Sequence, residues 1–454
     1  MMLAASKALL NPFRSSHQII RIRMASATTK QRYDLVILGA TGYTGQFVVE
    51  EVSRVAQCDM TQKNRSLSWA VAGRSKDKLM NCLAKARKNT GLSLEDVAII
   101  LADVGDQDSL NNMAAQSNVV VNCVGPYQLY GEQVVRACVE NGANHVDISG
   151  EPQFLESMQL KYAAAAEEAG VHVVGACGYD SIPADMGISH MIKNFKGELN
   201  SVEMYVTVKS KDGDSTLHTG TMESAALAIA NQNEIGKIRQ ELFPKRLPTP
   251  KHKITKRGIL HKNDKLGLWG IPLPTDEPVV YRTQRYRYDV LHQRPIQFQQ
   301  FVCARNLFQS VGMLLGMAYF AFICYFSWTR VLLLKYPEVM TAGVFKRAGA
   351  DQKKLNSVTF TATLIGHGWS ESLVAESDQH VLPPDSSIVV KVAGPDPGYG
   401  ATSLMMVASA MTILQEKDLC TGRGGVMTPG VAFTNTKLID RIVDRGMTFQ
   451  VVEK

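Results

Sequence analysis

The run Gly39-Ala40-Thr41-Gly42-Tyr43-Thr44-Gly45 puts three glycines where a chain leaving the apolar strand Asp34–Leu38 must turn into a helix. Gly39 permits the tight turn, Gly42 lets the backbone approach a pyrophosphate, and Gly45 lets the helix pack close to the sheet. Thr41, Tyr43 and Thr44 fill the loop between them. The free N–H groups at the helix N-terminus then face the phosphates. This chemistry is dinucleotide binding, and the strand before and helix after supply the context that a lone glycine pattern lacks.

The second strand chooses the dinucleotide. It runs Trp69–Ala72 and ends in Gly73-Arg74-Ser75 rather than in an acid. A carboxylate there would accept from ribose hydroxyls. Arg74 pairs instead with a 2′-phosphate, to which Ser75 can donate, so NADP(H) is expected over NAD(H). The spacing from the glycines exceeds the usual ~20 residues, and the polar stretch 57–67 reads as inserted material.

The later strands also end in polar residues. Asp103 follows the third, on the adenine side. Gly125-Pro126-Tyr127 follows the fourth, where the nicotinamide is approached. Ser149 and Glu151 follow the fifth, and Asp180 the sixth. Open α/β sheets bind ligands at such carboxyl ends. Hydride transfer also needs a proton partner, for which the candidates are Tyr127, Asp180 and His218. An unperturbed imidazole titrates near neutrality. Each has a structural alternative, since Ser149 and Asp180 are N-cap types and a lone histidine can be structural.

Elements that must position these groups alternate from Tyr33 onward. Short apolar runs at 34–38, 69–72, 97–101, 119–124, 145–148 and 171–176 are separated by helical patterns at 43–56, 76–89, 107–116, 131–141 and 153–169. That pattern predicts βαβ units and a doubly wound parallel sheet over residues 31–180. Beyond it, 202–209, 279–288, 296–304, 358–365 and 388–392 alternate polar and apolar residues. Alternation predicts a mixed-sheet α+β domain over 181–454, with 240–275, rich in Pro and Lys, as a loop.

Residues 306–329 carry no charge and are bracketed by Arg305 and Arg330. Twenty-four helical residues would span ~36 Å. A spanning helix, an interfacial segment and a buried core helix all fit. The net charge of +7 conceals a basic stretch at 245–305, with thirteen Lys/Arg against four Asp/Glu. It suits an anionic lipid surface or a solvated loop. No nucleic-acid-binding signature accompanies it. The acid-free N-terminal residues 1–30 look like a mitochondrial targeting segment, or are dispensable before Met24. The eight scattered cysteines show no metal-ligand spacing and fit reduced, intracellular thiols.

GATGYTG, the AGR after the second strand, NCVGPY, DISGE and GYDSIPADMG together resemble the saccharopine dehydrogenase-like oxidoreductase family. The likeness continues through LHTGT (217–221), GPDPGYGAT (394–402) and GGVMTPGVAF (424–433). It implies a Rossmann domain followed by a second α/β domain, with Gly39, Gly42, Gly45 and Arg74 as cofactor contacts. It also implies membrane, lipid-droplet or mitochondrial association for animal members. Bacterial relatives resemble trans-acting enoyl reductases of glycolipid and polyketide-lipid assembly. Three functions follow as expectations: an NADP(H)-dependent oxidoreductase acting on a lipid-linked or hydrophobic substrate, an amino-acid dehydrogenase of the saccharopine type, and a nucleotide-binding membrane or lipid-droplet protein without turnover.

Overall fold

The computed structural model describes residues 32–63, 66–211, 216–350, 352–374 and 378–453. The targeting-like segment 1–30 lies outside them.

Six strands alternate with six helices in the first half of the chain: β1 (Tyr33–Leu38), α1 (Tyr43–Lys63), β2 (Trp69–Gly73), α2 (Lys76–Thr90), β3 (Ala98–Leu101), α3 (Gln107–Ala115), β4 (Ser117–Asn122), α4 (Tyr127–Asn141), β5 (Asn144–Asp147), α5 (Pro152–Glu168), β6 (His172–Val174) and α6 (Ile182–Asn194). Val/Ile-rich runs buried on both faces make these strands, as in β1, where Leu35–Leu38 are at most 1% exposed. Local chemistry sets the helix ends. Ser75 caps α2 and Gly91, at φ +73°, closes it, while Gly142, at φ +67°, closes α4.

The second half holds β7 (Glu198–Ser210), β8 (Leu217–His218), α7 (Thr219–Ala230), α8 (Ile235–Leu242), β9 (His261–Asn263), β10 (Leu268–Pro272), α9 (Glu277–Asp289), β11 (Gln297–Ala304), α10 (Leu307–Tyr325), α11 (Ser327–Lys335), α12 (Pro337–Met340), β12 (Phe345–Lys346), α13 (Gln352–Leu355), β13 (Val358–Trp369), β14 (Ser386–Pro395), α14 (Gly400–Glu416), β15 (Gly425–Met427), α15 (Pro429–Ala432), α16 (Leu438–Asp444) and β16 (Thr448–Glu453).

The first sheet has the order β3-β2-β1-β4-β5-β6-β15, with every neighbouring pair parallel. Its order reverses between β1 and β4, which is where such sheets open a crevice. The second sheet is mixed, in the order β16-β14-β13-β7-β11-β10-β9; β7 and β11 are parallel and the other pairs antiparallel. Helix α6 links the two and packs on β13 and β14, where Gly187 lets Leu364 approach.

Four features depart from the sequence reading. Residues 279–288, expected as a strand, belong to α9. Its start carries Pro278 in the first turn, a helix signal that the alternation in YRTQRYRY masked. The buried side chains of α9 include Arg282, Thr283, Gln284 and Arg285, so hydrophobic periodicity is a poor guide there. The loop expected at 240–275 contains β9 and β10 at the edge of the second sheet. Part of the insertion read at 57–67 is a continuation of α1 to Lys63. The chain also returns to the first sheet: β15 pairs with β6, and α14 packs on α1, β4 and β5. A cut at residue 180 therefore leaves elements of the first sheet on its far side.

Candidate functional site

The glycine loop follows β1 at the crevice. Gly39 has φ +80°, and a Cβ there would lie 2.7 Å from Val124 Cγ2. At Gly45 a Cβ would lie 2.2 Å from the Gly39 carbonyl oxygen, so only glycine lets α1 start this close to the strand. Gly42 is exposed at the tip, its N–H donating to Gly39 O at 2.9 Å. Thr41 and Thr44 are half-buried beside it. The cradle thus has the bare, positive-φ backbone that a pyrophosphate requires.

Arg74 is exposed at the end of β2, and its side chain makes no hydrogen bond or ion pair with the described residues. Its guanidinium is available to a 2′-phosphate. Ser75 accepts from Lys78 N–H at 3.4 Å as the cap of α2, which leaves its own hydrogen to donate. One Asp103 oxygen accepts from Gly105 N–H at 2.9 Å and fixes the turn after β3.

The ends of β4, β5 and β6 form the wall of a cleft. Gly125 and Gly150 are exposed there, and Pro126 leads into α4. Helix α7 stands opposite: a Cβ on Gly125 would lie 3.8 Å from Ser224 Oγ. Asp180 borders the same space, with its Oδ2 3.2 Å from where a Gly150 Cβ would be. Solvent reaches Asp180, yet the surrounding protein desolvates it and raises its carboxyl above the usual range. Asp276, at the start of α9, is buried close by. Desolvation first, and then the charge of Asp180, push it well up.

The other two proton candidates stand differently. Tyr127 is buried, and its hydroxyl donates to Asn122 O at 3.0 Å and accepts from Ile148 N–H at 3.4 Å. Both hydrogen-bonding functions of that oxygen are committed to the backbone between β4 and β5. The Nδ1 of His218 accepts from Gly220 N–H at 3.0 Å and caps α7. That acceptor role requires the neutral ring, and burial holds the pKa below the ordinary value.

His218 also belongs to an assembly over the glycine loop. The Tyr43 ring stacks on it at 4.7 Å and 8°, while the Tyr43 hydroxyl donates to Ala350 O at 2.6 Å. The buried Tyr399 meets Tyr43 edge-on, and its hydroxyl accepts from His218 N–H at 2.7 Å. Sequence reasoning missed Tyr399 because DPGYG reads as a turn. It also passed over the capping role of Glu151, whose two oxygens accept from Tyr127 N–H at 2.9 Å and Gln128 N–H at 2.8 Å. Asp276 fell between the loop read at 240–275 and the strand read at 279–288, so neither reading drew attention to it.

Helix α7 has its other side on α10. Met222, Ala226, Ile323, Cys324 and Leu333 form one small buried cluster. Beyond it, α10 and α11 fold back on each other around Phe326 and expose Phe308, Leu315, Phe322, Trp328 and Val331, each at least 59% accessible. The core-helix reading of 306–329 fails, because in α10 only Ser310, Ile323 and Cys324 are buried. The chain enters from β11 and returns to pair β12 with β8, so both ends of this helical elbow stay on one body. No acidic residue occurs between Val290 and Pro337.

Comparison with known proteins agrees with this geometry. Residues 35–174 match the saccharopine dehydrogenase NADP binding domain. The human saccharopine dehydrogenase-like oxidoreductase is 41% identical, over 94% of this chain and 99% of that protein. A Caenorhabditis elegans lipid droplet localized protein is 37% identical, over 92% and 98%. Among solved structures, apo saccharopine dehydrogenase (L-Glu forming) from Saccharomyces cerevisiae aligns with a TM-score of 0.53 at 13% identity, covering 92% of this chain and 99% of that one. That likeness concerns the fold alone. The chain belongs to the saccharopine dehydrogenase-like oxidoreductase family and is an NADP-binding member of it.

Proposed function

We propose that the protein reduces or oxidises a hydrophobic, lipid-linked carbonyl or enoyl substrate with NADP(H), in the cleft between the ends of β4–β6 and α7. When bound, the nicotinamide supplies or takes the hydride. Gly39, Gly42 and Gly45, with Thr41, Tyr43 and Thr44, hold the pyrophosphate, Arg74 and Ser75 the 2′-phosphate, Asp103 the adenine side, and Gly125 and Pro126 the nicotinamide side. Asp180 gives the proton in the reductive direction and takes it back in the oxidative one. The observation that carries this assignment is its place: an accessible carboxyl on the cleft wall, raised by desolvation and so able to hold a proton nearer neutrality. Tyr127 and His218 act as positioning residues, because their polar atoms are spent on the backbone.

The lipid-linked substrate class rests on the apolar elbow that backs the cleft through α7, and on the name of the C. elegans relative. The same elbow is the surface by which the protein would sit on a lipid droplet or membrane.

The test is NADPH and NADH titration followed by nicotinamide fluorescence, then turnover with lipid enones and ketones. Arg74→Ala should weaken NADPH by about 10-fold or more, the worth of a charge-assisted pair, and leave NADH unchanged. Asp180→Asn should bind NADPH normally and lose ~100-fold or more in turnover. Equal NADPH affinity in Arg74→Ala sinks the phosphate assignment. Bound NADPH with no hydride exchange on any substrate favours a non-catalytic surface protein.

A further inference from the structure

A second cavity lies away from the cleft, between the C-terminal half of α9 and the segment 418–435. Its volume is about 360 Å³, within the range of small-ligand sites. Arg287 lines it, eleven residues beyond Asp276 and so ~16 Å further along the helix. The Arg287 side chain makes no hydrogen bond or ion pair with the described residues, and its Nε is buried without a partner. Asp185 acts on it through space, with no direct ion pair: its Oδ2 accepts from Thr283 Oγ1 at 2.8 Å and Gly430 N–H at 2.6 Å, and its Oδ1 has no hydrogen-bond partner among the described residues.

Arg287 is half-buried with no hydrogen-bonded counter-ion, and desolvation pulls its pKa down. A guanidinium in that position is complementary to a planar anion. The rest of the lining defines the anion further. Leu291, Leu419 and Val431 give apolar walls, Asn435 offers an amide, and Asp418 repels multiple negative charge. We infer that this cavity binds a small monocarboxylate with a short apolar body, held by Arg287 and independent of the cofactor cleft.

Butyrate and inorganic phosphate serve as probes on the full chain, read by saturation-transfer NMR in saturating NADPH and by thermal melting. Butyrate should give a saturable signal that NADPH does not displace. Arg287→Leu should weaken it at least 10-fold, and Arg287→Lys less, since lysine keeps the charge without the fork. Saturable phosphate binding without butyrate binding would overturn the carboxylate assignment. So would butyrate binding that survives Arg287→Leu, or the absence of saturable binding.

Discussion

His145 and Asp147 sit fully buried on β5, with Nδ1 and Oδ2 3.7 Å apart. Burial drives the two in opposite directions from their ordinary values, His145 from 6.5 down to about 3 and Asp147 from 3.8 up to about 7. Between pH ~4 and ~6.5 the folded chain holds an extra proton on Asp147 and lacks one on His145 relative to the unfolded chain. The two slopes of stability against pH oppose each other there. Asp147→Asn keeps an acceptor for Ser149 N–H and removes the aspartate's linkage, so stability relative to wild type should rise with pH from ~4 to ~7. His145→Asn removes the histidine's linkage, so relative stability should fall as pH rises from ~3 to ~6.5. Denaturant melts across that range decide it, and parallel curves for both variants would refute the opposition. Nothing in the run HVDIS showed this pairing, because which residues are buried together depends on the sheet. By contrast, the steric needs of Gly39 and Gly45 were legible, since a tight turn into a close-packed helix leaves few residue choices.

At the scale of elements, the order and type of β1 to β6 and α1 to α5 were readable, although α1 ran seven residues further, α4 began four residues earlier, and α6 was not read. Parallel strands covered on both faces are continuous apolar runs, and the helices between them announce their caps. Helix α9 was not readable, because its buried face includes Arg282, Thr283 and Gln284, each hydrogen-bonded to a distant partner: Gln159, Asp185 and the Ile296 N–H. The apolar segment was recognised by composition, but its shape was not. The α10–α11 elbow offers one outward face with Phe322 and Trp328 near its bend. Burying a large apolar side chain is worth roughly 1.5–3 kcal/mol. Phe322→Asp and Trp328→Asp should therefore each lower binding to phospholipid-coated triolein emulsions by ~10-fold or more, while NADPH affinity stays unchanged. Unaltered flotation with the emulsion would remove the elbow from the docking surface.

Taken whole, the molecule closes its first sheet with its last quarter. The sequence could not show this, because β15 is only Gly425-Val426-Met427 and α14 is apolar almost all round, a pattern that says buried without saying against what. The register does say it, pairing Gly425 with His172. A fragment of residues 31–398 carries the whole glycine loop and six of the seven strands, yet lacks the helix that covers β4 and β5. It should be recovered as aggregate or as a protease-sensitive species that does not bind NADPH. A soluble fragment with wild-type NADPH affinity would mean that the early strands fold without the later chain.

That closure also sets an order of events on the ribosome. At the usual elongation rates of about 5–20 residues per second, β15 emerges roughly 10–50 seconds after β6. Throughout that interval β6 is an unpaired edge and the apolar floor awaiting α14 faces water, a state that natural sheets otherwise avoid. The nascent chain therefore carries an exposed strand edge and apolar surface, both prone to aggregation, from the emergence of β6 to that of β15. A message truncated late in its reading frame would yield a chain unable to complete its nucleotide-binding half.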